Sequence, residues 1–320
     1  MILLKGTQIR DSKRENLRSK INEIKEKEGD RFIPPTLVIF QIGDNASSSV
    51  YIGQKKRFAE YVGAEVLHIA LPEHVSEFDV IAEIQNYNMD DSVHGIIVQL
   101  PLPRHLSVHN ITNSIDYRKD VDGLSGVSLG LLVQRNFKLD EDAGIADGRE
   151  GNLEMDKFKT HPFKGFIPAT AKGILSMLLE YNIELEGKKV CIIGRSVLVG
   201  KPTALLMLAK NATVTICHSK TINLKEITKQ SDILISAIGK PGFINKTFVS
   251  ENQILIDVGI TSIDTKTGDG ENVRKVCGDF EYEEVSKVVY AITPVPGGVG
   301  PLTVTSLFEN LFESFCNSLL

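Results

Sequence analysis

The chain has 320 residues, 42% of them hydrophobic and 24% charged, with a formal net charge of −5. That is ordinary globular composition at a length that suggests about two domains. Mild acidity without a lysine- or arginine-rich block argues against nucleic acid or an anionic membrane surface as a partner, and no apolar run approaches the roughly 20 residues of a membrane span.

The opening residues, Met1-Ile-Leu-Leu-Lys-Gly-Thr7, have neither a signal-peptide apolar core nor the Arg- and Ser-rich character of a transit peptide. The four cysteines (Cys191, Cys217, Cys277, Cys316) form no Cys-x-x-Cys, and Cys191 and Cys217 fall inside apolar segments as small hydrophobes. A reducing, cytoplasmic setting is expected. Of the seven histidines only His105 and His109 stand at i, i+4, without the Glu of a His-Glu-x-x-His pair, so no metal site is expected.

Leu17, Ile21 and Ile24, set among charges, predict an amphipathic helix ending near Gly29, and Pro34-Pro35 marks a boundary. Thr36 to Ile42 reads as a strand, Gly43-Asp44-Asn45 as a turn, and Ser47 to Ser49 as candidate caps for a helix running from Tyr51 to Tyr61. A second strand (65–71), a helix between Ser76 and Asn86 and a third strand (94–100) closed by Pro101-Leu-Pro103 complete a β-α-β-α-β order, which predicts a parallel sheet. Residues 136–160 are polar, acidic and glycine-rich and read as a loop insertion without an assigned function. Pro168 opens a helix carrying Ile174, Leu175, Leu178 and Leu179. Strands follow at 190–193, 212–217, 232–237, 254–258 and, briefly, near 289–292. The final segment places Val304, Leu307, Phe308, Leu311, Phe312 and Phe315 on one helical face, which needs a partner, most simply the N-terminal domain.

Between the strand at Val190 to Ile193 and the helix after it lies Gly194-Arg-Ser-Val-Leu-Val-Gly200. Strand, glycine turn and helix together place a phosphate at a helix N-terminus. The Gly-x-Ser-x-x-x-Gly pattern is neither the full Gly-x-Gly-x-x-Gly nor a Walker A loop. The next strand ends in His218-Ser219-Lys220-Thr221, without the carboxylate that usually binds an NAD ribose. Arg195 with the Ser219 hydroxyl and Lys220 suits a 2′-phosphate instead, which points to NADP.

Tyr51 and Lys55 share a helix face at i, i+4, just beyond the first strand's C-terminal end, where open α/β sheets place ligands. Lys56 and Arg57 follow, and their positive field together with burial favours a lowered Lys55 pKa suited to proton transfer. Gln99 closes the third strand in Val98-Gln-Leu100, and Asp122 lies in Lys119-Asp-Val-Asp-Gly123, a turn after the next helical segment, so both polar groups are expected on the same sheet edge. Thr293-Pro-Val-Pro-Gly-Gly-Val-Gly-Pro301 is glycine-rich enough to let backbone approach a flat ligand.

Taken together, Tyr51-x-x-x-Lys55, Gly95-Ile-Ile-Val-Gln-Leu-Pro-Leu-Pro103, Lys119-Asp-Val-Asp-Gly-Leu124, Gly194-Arg-Ser-x-x-Val-Gly-x-Pro202, Cys217-His-Ser-Lys-Thr221 and Ile292 to Pro301 resemble the bifunctional methylenetetrahydrofolate dehydrogenase/methenyltetrahydrofolate cyclohydrolase family. The resemblance implies oxidation of 5,10-methylenetetrahydrofolate with NADP, then hydrolysis to 10-formyltetrahydrofolate, in one-carbon metabolism and purine biosynthesis. It implies that Lys55 is the catalytic lysine, Gln99 its partner, Tyr51 a ring stacked on the pterin and Asp122 the group holding the pterin's amino-pyrimidine edge. Val98, Leu100, Pro296, Gly297 and Gly300 would border the folate, while Gly194, Arg195, Ser196, Gly200, Ser219 and Ile260 would contact the dinucleotide. Members with serine at the Ser219 position generally use NADP. The chain departs from the family pattern at Pro168-Ala-Thr-Ala171, where many members read Pro-Cys-Thr-Pro, and at Ser128, where asparagine is common.

The expectation is therefore an α/β protein of two domains with a cleft between them. Residues 1–145 plus 300–320 would form a three-layer, folate-binding catalytic domain closed by the C-terminal helix. Residues 146–299 would form a Rossmann-type, doubly wound NADP-binding domain. Tetrahydrofolate derivatives are the expected substrates and a homodimer the expected assembly. Two other readings, a dehydrogenase without the hydrolytic step and a non-catalytic nucleotide-binding regulator, give Lys55, Gln99 and Asp122 no shared purpose.

Overall fold

The computed structural model describes residues 1–134, 165–266 and 272–319, so the stretch read as an insertion lies outside the described residues. In chain order the strands are β1 (Ile2–Leu3), β2 (Thr36–Ile42), β3 (Glu65–Leu71), β4 (Gly95–Val98), β5 (Lys189–Ile193), β6 (Thr213–Cys217), β7 (Ile233–Ser236), β8 (Ile254–Asp257), β9 (Thr261–Lys266), β10 (Asn272–Cys277) and β11 (Ala291–Ile292). The chain forms two compact units. One holds Met1–Arg10 and Thr170–Thr303; the other holds, of the described residues, 11–134, 165–169 and 304–319.

In the second of these units β2 is the centre of a parallel three-stranded sheet, order β3-β2-β4. All seven β2 residues are buried, so both faces of the sheet are covered. The two-residue strand period divides its side chains. Leu37 and Ile39 join a core with Leu17, Ile21 and Ile24 of the helix Gly6–Glu28, Phe58 and Val62 of the helix Ala46–Val62, and Leu307, Phe308, Leu311 and Phe315 of the helix Val299–Ser318. Val38 and Phe40 join a different core with Val80 and Ile84 of the helix Glu77–Asn88, and with Ile96, Val98 and Ile111. These are the three layers, and the last helix finds its partner here: Phe308 stacks on Phe58 with centroids 4.9 Å apart. Gly95 is the residue that permits this closeness, since a Cβ there would lie 2.8 Å from both Leu311 and Val121 side-chain carbons.

The other unit is a six-stranded, all-parallel sheet of order β1-β11-β8-β7-β5-β6. The order reverses at β5, whose neighbours are β6 on one side and β7 on the other, so the end of β5 is the topological switch point at which such sheets bind ligands. The expected division assigned residues 1–145 to the catalytic domain, yet β1 pairs with β11 and extends the nucleotide-type sheet. Two residues at a chain terminus carry no periodic pattern from which that pairing could be inferred. The antiparallel β9–β10 pair was likewise not foreseen: Thr-Ser-Ile-Asp-Thr-Lys alternates no apolar face.

Candidate active site

Helix Ala46–Val62 begins where β2 ends. Its cap is Asn45, whose Oδ1 accepts from the Ser48 amide at 3.2 Å, rather than one of the serines at 47 to 49. Asparagine caps as well as serine does, and it stands one turn earlier. From this helix Lys55 donates a 2.7 Å hydrogen bond from Nζ to Gln99 Oε1. Gln99 is itself fixed: its amide donates to Phe40 O at 2.8 Å and its Nε2 to Leu100 O at 3.0 Å. The glutamine oxygen therefore faces the lysine with its orientation set by main chain on two sides.

Asp122 supplies the third member. Burial pushes the Lys55 ammonium below the ordinary lysine value, and the Asp122 charge works against that fall. Burial also pushes the Asp122 carboxyl above the ordinary aspartate value, with Lys55 pulling it back. The two groups thus share one electrostatic environment in which each moves toward its neutral form, which is how proton-transfer groups are tuned. Tyr51, one turn before Lys55, is half-buried, and burial raises its phenol. Leu100 is also half-buried and follows Gln99 directly, whereas the Val98 side chain is packed in the Val38–Phe40 core and leaves only main chain for a ligand.

Two residues that carry this arrangement are not among the site residues expected from the sequence. Asp120 is buried, accepting from the amides of Leu124 (3.2 Å) and Ser125 (2.8 Å) and from Ser128 Oγ (2.7 Å). Burial pushes its carboxyl up to about 6 despite those donors. It ties down the turn bearing Asp122, while Gly123, at φ 70°, lets that turn lie against Phe166 and Pro168. The serine at 128, a departure from the family pattern, is therefore a working donor. Ser48, buried in the first turn of the lysine's helix, points Oγ toward Leu100 O at 3.5 Å. The Asp-x-Asp spacing in Lys119 to Gly123 was the available sign for Asp120; Ser48 had none beyond its place in a serine run. At the other departure, Ala169 is buried in the core and donates its amide to Asp122 O at 3.3 Å.

In the other unit the glycine turn has the shape expected for a phosphate. Gly194 adopts φ 122°, and a Cβ there would lie 2.6 Å from Ala237 O. A Cβ on Gly200 would collide with the Gly194 carbonyl, so the helix Gly200–Ala209 starts hard against the end of β5. Ser196 Oγ accepts from the Val199 amide at 3.2 Å and shapes the turn, and Ser196 and Arg195 are exposed. Register pairs Ile193 with Cys217, so the segments bearing Arg195 and Ser219 leave adjacent strands at the same level. Ser219 and Lys220 are exposed there, in a segment that has no carboxylate. The cradle that a Cβ would fill and the basic, hydroxyl-bearing strand ends fit a phosphate-rich dinucleotide.

Ile260, after β8, lies close to Gly300: a Cβ on that glycine would be 3.3 Å from Ile260 Cδ1. Gly297 is at φ 104° and its carbonyl accepts from the Gly6 amide at 2.9 Å, beside Pro296 in the same bend. The structure thus brings Lys55, Gln99 and Asp122 together in one unit, and within the other unit it groups Gly194 to Gly200 with Ser219, and Ile260 with Gly300. His105 Nε2 lies 3.0 Å from Val75 O and His109 contacts Asn113, both local structural roles. Among the described residues, no group of three or more His, Cys, Asp or Glu could hold a metal ion, and no helix is long and apolar enough to cross a membrane.

Two family models match the chain: the tetrahydrofolate dehydrogenase/cyclohydrolase catalytic domain over residues 4–122, and the NAD(P)-binding domain of the same enzymes over residues 168–319. The bifunctional protein FolD of Streptococcus thermophilus is 40% identical over 318 residues, covering 99% of each chain. A crystal structure of the bifunctional FolD enzyme, methylenetetrahydrofolate dehydrogenase/cyclohydrolase, from Campylobacter jejuni covers 100% of both chains with a TM-score of 0.82 at 37% identity. The corresponding Trypanosoma brucei enzyme, described as complexed with NADP cofactor and inhibitor, covers 100% of this chain and 98% of its own with a TM-score of 0.85 at 27% identity. This chain belongs to the tetrahydrofolate dehydrogenase/cyclohydrolase family.

Proposed function

We propose that Lys55, held by Gln99 and coupled to Asp122, is the proton-transfer group of an enzyme that oxidises 5,10-methylenetetrahydrofolate and hydrolyses the product to 10-formyltetrahydrofolate. The bifunctional dehydrogenase/cyclohydrolase activity follows from the family. The observation that carries the residue assignment is the 2.7 Å Lys55–Gln99 bond, with Gln99 just beyond the end of β4 and Asp122 near enough for its charge to act on Lys55. NADP, when bound, supplies the nicotinamide carbon that accepts a hydride from the methylene bridge.

This chain's residues do the rest. Gly194, Ser196 and Gly200 cradle the dinucleotide's phosphates, Arg195 and Ser219 take the 2′-phosphate, and Ile260 packs on the nicotinamide end. Tyr51 stacks on the pterin and Asp122 accepts from its amino-pyrimidine edge, with Leu100, Pro296, Gly297, Gly300 and the Val98 main chain along the folate. In the hydrolytic step the neutral Lys55 amine takes a proton as water adds to the methenyl carbon. The resulting ammonium returns that proton to N5 as the carbon–N5 bond breaks, leaving the formyl group on N10 and releasing the hydroxyl's proton to solvent. Gln99 Oε1 holds the lysine in line through both transfers. The same reading takes the enzyme to act as a cytoplasmic homodimer, a view that rests on the family resemblance.

The test of the cofactor assignment is steady-state oxidation of 5,10-methylenetetrahydrofolate with NADP and with NAD in parallel. A kcat/KM at least tenfold higher with NADP is expected; equal or better use of NAD would overturn it.

A further inference from the structure

The unit bearing the glycine turn contains a second built polar cluster that none of these roles uses. Asp257 is the last residue of β8, and Asp279 lies two residues beyond β10; both are buried. Asp257 Oδ1 accepts from the amides of Gly259 and Asp279, each at 3.0 Å, and its Oδ2 from the Phe280 amide at 3.1 Å. Asp279 Oδ2 accepts from Ser236 Oγ at 2.8 Å and the Ile238 amide at 2.9 Å, while its Oδ1 accepts from the Lys240 amide at 2.7 Å. The carboxylates are therefore crossed: one binds the main chain that carries the other, and the other binds the turn leaving the neighbouring strand.

Both neighbours of the pair are glycines because nothing larger fits. A Cβ on Gly259 would collide with the Asp279 carboxylate, and one on Gly278 with that of Asp257. Like charges held this close and out of water are costly, and the strain is visible in Asp257, whose carboxyl is pushed up to about 7 by burial, with the Asp279 charge adding to it. A loop that needed only to be closed would be served by apolar packing. What six directed hydrogen bonds add is a fixed geometry. The turns they fix, 236–240 and 257–260, leave the C-terminal ends of β7 and β8, the edge at which parallel sheets bind ligands. The second of these turns ends in Ile260, against Gly300.

We propose that Asp257 and Asp279 are positioning residues for the dehydrogenase step, clamping the turns after β7 and β8 so that Ile260 presents a fixed surface to the nicotinamide end of the dinucleotide. The inference rests on the assignment of Ile260 as a nucleotide contact. Neither carboxylate touches substrate or cofactor in this account; each acts through the main chain that it holds.

The pair separates the two activities, because hydrolysis of methenyltetrahydrofolate supplied directly needs no dinucleotide. In D279N one of the three donors meets an amide N–H instead of an oxygen, and in S236A a single donor is removed with little change of volume. The expected result is a KM for NADP raised about tenfold in D279N and about threefold in S236A, with hydrolysis of added methenyltetrahydrofolate within twofold of wild type. A KM for NADP within twofold of wild type in both variants would overturn the proposal. A parallel fall of both activities in D279N with an unchanged S236A would also overturn it, by showing that the pair serves folding alone. If D279N is insoluble, the S236A KM decides by the same threshold. A wild-type protein lacking both activities would instead refute the functional reading on which the inference stands, so the two failures are told apart.

Discussion

Replacing Lys55 with methionine keeps an unbranched side chain, one heavy atom shorter, and removes its ability to carry a proton. The structure specifies what is lost. The 2.7 Å bond to Gln99 Oε1 disappears, and Asp122 loses the positive charge that offsets its burial. Loss of a positioned acid–base group slows a proton-transfer step by about 10²- to 10⁴-fold, about 3 to 5 kcal/mol of barrier. The fold pays less, about 1 to 3 kcal/mol for a buried acceptor left without its donor, because Asp122, already raised, can take up a proton. The assay is the decay of methenyltetrahydrofolate absorbance with no dinucleotide present, alongside an equilibrium titration with NADP. Hydrolysis should fall at least 10²-fold while NADP affinity stays within about twofold, since the glycine turn belongs to the other unit. In the wild type the rate should climb with pH as Lys55 loses its proton and level off below the range of an exposed lysine, because burial lowers its pKa. Hydrolysis by K55M within tenfold of wild type would remove Lys55 from the mechanism.

Two further outcomes follow from the geometry. Gly200→Ala should raise the KM for NADP at least about tenfold and spare hydrolysis, since the added methyl meets the Gly194 carbonyl that shapes the phosphate cradle; an unchanged KM would separate that turn from cofactor binding. His94 is buried, its Nδ1 accepts from the Thr36 amide at 3.1 Å, and burial together with Lys119 pushes it down to about 4. Because the folded pKa lies below the unfolded one, the stability tied to neutral His94 is complete above about pH 6.5 and is lost as pH falls toward 4, by about 3 kcal/mol. Asp120 and Asp257, raised on folding, act in the opposite sense over an overlapping range. The difference between wild type and His94→Gln in urea unfolding, measured at pH 7.5 and pH 4, isolates the histidine. A difference that does not change with pH would refute this role.

The parts legible in the sequence were those whose residues act through local pattern. Thr36 to Ile42 and Glu65 to Leu71 are strands with the expected bounds, Ser76 caps the helix after them, and the Val304 to Phe315 stripe packs where its period demands. Tyr51, Lys55 and Gln99 could be found because helix spacing and a strand end place them, and the glycine turn because its residue types are sterically required. What escaped depends on contacts distant in sequence. β1 pairs with a strand nearly 290 residues away and has no pattern of its own. Asp120 looks like any loop acid until Ser125 and Ser128 fold back onto it. Asp257 and Asp279 are joined only by the approach of two loops, with glycines beside them whose necessity shows only once the carboxylates are in place.

The most direct test of the central claim supplies 5,10-methylenetetrahydrofolate and NADP to the wild-type protein and follows reduced cofactor and methenyl absorbance in one cuvette. The account predicts that reduced cofactor accumulates while methenyl absorbance stays transient and 10-formyltetrahydrofolate forms in step with it. Methenyltetrahydrofolate persisting in proportion to reduced cofactor, at the rate of its uncatalysed hydrolysis, would contradict the claim that Lys55, Gln99 and Asp122 form a working hydrolytic site.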